Sequence, residues 1–144
     1  MNHSLEVKKS ITISASIQKV WEVMTQPEHI AKFLYGTETI TDWQPNSKIV
    51  FQGEYEGHQY KDKGIVQVNK ANEELSYKYY SGFSGLEDKE ENYCLVRYLF
   101  ENDSEGNCIF TWHQIGYPDA EKREHSESGM DALLQNIKAI AEDQ

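Results

Sequence analysis

The feature that most constrains this chain is its last long stretch, from about Asp119 to Ala141, which reads as one helix beginning just after Pro118. Its second half carries Met130, Leu133, Leu134, Ile137, Ile140 and Ala141 at steps of three and four. That spacing puts all six on one side, and that side has to be buried. Its first half is different: Asp119, Glu121, Lys122, Arg123, Glu124, His125, Ser126 and Glu127 offer little to pack, and Gly129 stands at the junction. A helix built this way packs firmly at its C-terminal end and covers a looser, wetter region with the other. A lone long helix needs a sheet to bury its stripe, so the expected class is α+β.

The upstream chain supplies that sheet. Leu5 to Ser14 alternates imperfectly and predicts a first strand. Ser14 or Ser16 can cap a short helix from Ile17 to about Met24, with Val20, Trp21 and Met24 on one side. Pro27 suits the first turn of a second short helix with Ile30, Phe33 and Leu34 as its apolar positions, and Gly36 ends it. From Thr37 to Pro118 all is strand and turn. The predicted strands are Thr37 to Trp43, Ile49 to Tyr55, Tyr60 to Asn69, Leu75 to Tyr79, Tyr93 to Phe100 and Cys108 to Ile115. In the third of these Gly64, Val66 and Val68 share one face, and Lys61, Lys63, Ile65 and Gln67 the other. Ser81 to Asn92 is the longest irregular piece, a length that often serves a site.

The last two strands are apolar on both sides. One face carries Cys94, Val96, Tyr98, Phe100, Cys108, Phe110 and Trp112, and is expected under the helix. The other carries Leu95, Leu99, Ile109 and Ile115 mixed with Arg97, Thr111 and His113; this surplus of apolar surface favours either a homodimer through the sheet or curvature at its edge. A turn near Asp103 and Ser104 sets Cys94 opposite a position near His113, so Cys94 and Cys108 are expected as two reduced thiols.

A chain of 144 residues is expected to form one domain over 1–144, with a real core. Its 24 acidic and 14 basic residues leave a net charge of -10, which repels phosphate backbones and anionic lipid, so neither nucleic acid nor membrane is an expected partner. No apolar run approaches membrane-spanning length and Met1 to Lys9 holds no signal-peptide core, so a cytoplasmic location is expected. His3, His29, His58, His113 and His125 have no metal-ligand spacing, and Ser81-Gly82-Phe83-Ser84-Gly85 follows no strand-to-helix pattern. No metal and no cofactor are expected.

Element order, together with particular residues, brings in a resemblance. The opening Ile13 to Leu34, with Trp21 and Pro27 before Phe33, is followed by Gly64-Ile65-Val66 leading to Leu75 and Tyr77. Thr111 to Gly116 then precedes a closing helix of His125 to Asp143. In this order the pieces resemble the START-like (SRPBCC) superfamily, in the branch similar to the C-terminal domain of the activator of Hsp90 ATPase (AHSA1-like). The resemblance implies a helix-grip fold: a curved antiparallel sheet wrapped around the C-terminal helix, with a cavity between them that holds an apolar ligand in some relatives. It carries over no catalytic set. Met130 follows Gly129 where members of the branch often have Trp, and Phe33 and Leu34 stand where many have Trp.

The candidate cavity lining is Trp21, Phe33, Trp43, Phe51, Tyr55, Tyr77, Tyr79, Tyr98, Phe110, Trp112, Gly129, Met130 and Leu133, suited to a small apolar or aromatic molecule. The same aromatics are also ordinary core material. Gly129 is read either as a close approach of helix to sheet at the cavity mouth or as a packing glycine. Arg97 and His113 would bind a ligand carboxylate if their face were internal; the periodicity puts them on the outer one. The expected function is binding of a small hydrophobic ligand, in a stress-related or accessory role. The alternatives are a cyclase- or hydrolase-type enzyme using Tyr55, Tyr98 or His113, and a protein-interaction module with a partner such as a chaperone.

Overall fold

The computed structural model describes residues 1–143. Seven strands form a single antiparallel sheet in the order β1-β7-β6-β5-β4-β3-β2, where β1 is Asn2–Ile13, β2 Glu38–Ile40, β3 Lys48–Tyr55, β4 His58–Lys70, β5 Glu74–Tyr80, β6 Cys94–Asn102 and β7 Cys108–Tyr117. Helices α1 (Ile17–Thr25) and α2 (Pro27–Phe33) follow β1, and α3 (Ala120–Glu142) closes the chain. This is the helix-grip architecture the sequence implies. The predicted strand Thr37 to Trp43 shrinks to three residues: pairing with the next strand ends at Ile40, and Trp43 beyond it takes a left-handed φ of 60°.

Local chemistry sets the boundaries. The Ser16 side chain accepts the Lys19 backbone N–H and starts α1, Pro27 opens α2, and Asp119 accepts the Lys122 N–H at 2.9 Å to start α3. Along α3 the stripe delivers Met130, Leu134, Ile137 and Ala141 into the core, against β1, β7, α1 and α2. Cys94, Val96, Tyr98, Phe100, Cys108, Phe110 and Trp112 are all buried, on the concave face.

The convex face carries the expected mixture of apolar and polar side chains. Leu95, Leu99, Ile109 and Ile115 are half-buried and interleaved with Arg97, Thr111 and His113. Arg97 and His113 are cross-strand partners there, with Arg97 Nε 3.5 Å from Glu74 and His113 Nε2 3.5 Å from Glu6. His113 is nonetheless buried, covered by its neighbours. The hairpin register also corrects the cysteine geometry: Leu95 pairs with Ile115, which sets Cys94 against Gly116 rather than near His113, while Cys108 pairs with Asn102. The two thiols are free and buried, and burial pushes Cys94 up to about 12 and Cys108 up to about 11 from the ordinary 9.0.

Gly129 neither packs nor approaches the sheet. It lies on the solvent side of α3, and an added Cβ would meet nothing within 4 Å. With no steric reason to keep it, Gly129→Ala should raise stability by about 1 kcal/mol, the helix-interior difference between the two residues. Thermal or urea unfolding reads this directly, and a destabilised variant would refute the open-space account.

Candidate functional site

Between the concave face and the helices lies a cavity of about 230 Å³. β3 contributes Phe51, β5 Tyr77 and Tyr79, β6 Val96 and β7 Trp112 and Gln114. Leu34 and Thr37 line it after α2, and Leu133 from α3. β4 contributes Tyr60 and Asp62. Strand alternation places each of these: Phe51 pairs directly with Asp62, and Tyr60, Asp62, Gly64 and Val66 step by two along one face of β4.

The aromatic wall is a connected set. Tyr77 sits 5.7 Å from Phe51 and 5.6 Å from Tyr98, and Tyr98 stacks edge-on against Trp112 at 4.8 Å, ring centre to ring centre. The Tyr77 and Tyr98 hydroxyls share a hydrogen bond of 2.6 Å. Burial holds both phenols well above their ordinary 10.0, so they stay neutral.

The polar wall is centred on Asp62, which is 7% exposed. Its Oδ2 accepts the Tyr79 hydroxyl at 2.6 Å and its Oδ1 accepts the Gly82 backbone N–H at 3.1 Å. Burial, and then the carboxylate alongside, push the Tyr79 phenol up, so Tyr79 is a donor that keeps its proton. On the same side Tyr60 and Thr37 share a hydroxyl hydrogen bond, and Gly53, opposite Tyr60, leaves the room that the Tyr60 ring end fills. Gln114 accepts the Trp112 indole N–H at 3.3 Å.

Of the residues proposed from sequence, Phe51, Tyr77, Tyr79, Trp112 and Leu133 meet at this cavity. Tyr98 lies behind Tyr77. Trp21 packs on Phe100, 5.0 Å away, and Phe33, Phe110 and Met130 are core residues that do not line the cavity. Trp43 touches the back of Tyr77 at 6.4 Å and donates its indole N–H to the Thr25 carbonyl. Tyr55 is 64% exposed at the tip of the β3–β4 hairpin, beyond the cover of the helices, and Gly129 faces solvent. Leu34, Thr37, Tyr60, Asp62, Val96 and Gln114 were missing from the expected lining. Asp62 and Gln114 had a signal, each lying two residues along from an inward-facing neighbour, Gly64 and Trp112.

A second cavity of about 360 Å³ adjoins the first and shares Tyr79 and Gln114 with it as a partition. Its walls are the loop from Ser81 to Ser84 and the polar start of α3, at Lys122, His125 and Ser126. The polar half of α3 thus covers open space, as its composition predicts. Among the described residues no helix is long and apolar enough to cross a membrane, and no cluster of three metal-ligating side chains is found.

A curved sheet gripping a long helix over a lined cavity defines a helix-grip protein. Residues 14–142 match the family described as activator of Hsp90 ATPase homolog 1-like protein, and the chain belongs to that family. Among solved structures it is similar to the protein ChR145 from Cytophaga hutchinsonii, at 31% identity and a TM-score of 0.81, with 99% of this chain and 97% of that one covered. The protein CV1439 from Chromobacterium violaceum superposes at a TM-score of 0.79 and 20% identity, covering 98% and 99%. The Aha1 dimer from Colwellia psychrerythraea gives 0.74 and 12%, covering 95% and 96%. The last two likenesses bear on fold alone. No curated protein matches the chain.

Proposed function

We propose that the chain binds and sequesters a small, largely aromatic molecule in the cavity between β3–β7 and α3. The observation that carries this reading is a partly open cavity of about 230 Å³ between the sheet and the helices, lined by aromatic residues together with hydrogen-bonding groups. Interiors normally close such space, and a preformed apolar pocket with a few placed polar groups is the usual form of a ligand site. The volume lies below the ~300–1,000 Å³ of drug-sized pockets, which suits a ligand of about one ring. Of the side chains named for a catalytic use, Tyr55 is at the hairpin tip, His113 is on the convex face, and the Tyr98 hydroxyl is taken up by Tyr77, which favours binding as the reading. A chaperone-accessory role rests on the family description alone.

Native mass spectrometry of protein purified from its own host should show a retained small molecule. Leu133 is half-buried at the cavity wall, so Leu133→Trp should fill the space and abolish retention while the fold survives. Wild-type protein that retains nothing, and gains no thermal stability from any member of a one-ring aromatic library, would overturn the reading.

A further inference from the structure

The chemistry of the cavity wall narrows the ligand class, an inference that rests on the binding reading above. Asp62 is a buried carboxylate whose two oxygens receive one neutral donor each, Tyr79 O–H and Gly82 N–H. A carboxylate offers about four acceptor positions, so two remain open. Among the described residues no lysine, arginine or histidine forms an ion pair with it. Lys61 and Lys63 flank it in sequence, but alternation turns them to the opposite face, where Lys63 pairs with Asp88. The cavity lining contains no basic side chain at all. A buried negative charge met only by neutral donors is costly, and an incoming cation offsets that cost.

The rest of the wall points the same way. Phe51, Tyr77, Tyr79 and Trp112 line the cavity, and aromatic rings attract cations through their electron-rich faces. The net charge of -10 raises the local concentration of cations around the protein and lowers that of anions. We infer that the cavity selects a small organic cation: a protonated amine carried on an aromatic or aliphatic body, its N–H groups on Asp62 and its body against Phe51, Tyr77 and Trp112.

The test compares benzylamine, benzyl alcohol and benzoate, three bodies of one size carrying a cation, a neutral group and an anion. Binding is followed in wild-type protein by the resonances of the Trp112 indole N–H and the Gly82 amide. Benzylamine should bind about tenfold or more tightly than benzyl alcohol, the size of a charge-assisted hydrogen bond, with benzoate weakest. Asp62→Asn should remove the advantage of benzylamine over benzyl alcohol, the ratio of the two affinities falling to about one. If amine and alcohol bind alike in the wild type, the cation preference is overturned while the cavity remains a binding site. If none of the three moves the Trp112 or Gly82 signals, both fall together. The wild-type comparison decides the matter even if the Asn variant does not fold.

Discussion

Ile137→Ala should lower the unfolding free energy by about 2–5 kcal/mol, the range for removing a large aliphatic side chain from a packed core. Ile137 is fully buried on the face of α3 that rests on β1 and reaches α1, α2 and β7. Four elements pack on α3 as a whole, and a core held between a sheet and three helices closes over a lost side chain only in part, so space is left behind. Leu133 provides the control. It lies one turn earlier and already borders open space, so Leu133→Ala should cost clearly less. Urea denaturation of the two variants measures the difference. A loss below about 1 kcal/mol for Ile137→Ala would mean that the helix is not gripped at this end.

Gly64→Ala should be the second large effect. A Cβ at Gly64 would lie 2.6 Å from the backbone carbonyl oxygen of Lys78 on the paired strand. A carbonyl in a ladder cannot rotate away, so β4 and β5 must separate or shift, and overpacking of this kind costs about 1–3 kcal/mol. The damage should reach the cavity as well, because Gly64 pairs with Tyr79, whose hydroxyl holds Asp62. The Gly82 amide, the other donor to Asp62, should therefore shift in the spectrum of the variant. Gly53→Ala is the contrast: the atoms nearest its Cβ would be the ring end of Tyr60, which can swing aside, at the cost of the Thr37 contact. Equal losses for the two variants would contradict this account.

The fold was legible because its strongest signals are local. The stripe from Met130 to Ala141, the proline opening α2 and the two-residue steps in β6 and β7 all survive without tertiary knowledge. The cavity was only half legible, for two physical reasons. Alternation says which face a residue takes but not how far along the strand that face stays covered; Phe51 and Tyr55 share a face of β3, yet Tyr55 has run past the helices. The inward rule also favours apolar residues, so Asp62 was passed over although it continues the row of Gly64 and Val66. Gly129 shows the converse error: a glycine in a helix suggested a tight contact, and α3 has only solvent there.

The sheet order has a consequence for how the chain is made. β2 to β7 follow one another as neighbours, so each can pair as soon as the next emerges, but β1 waits for β7, with Val7 meeting Gln114 and Lys9 meeting Trp112. The first strand synthesised is thus the last to find its partner, and α3, which packs on it, comes later still. Such distant pairing slows folding, because the loop has to close before any contact rewards it. On the ribosome, β1 therefore stays without its partner strand until β7 has been made.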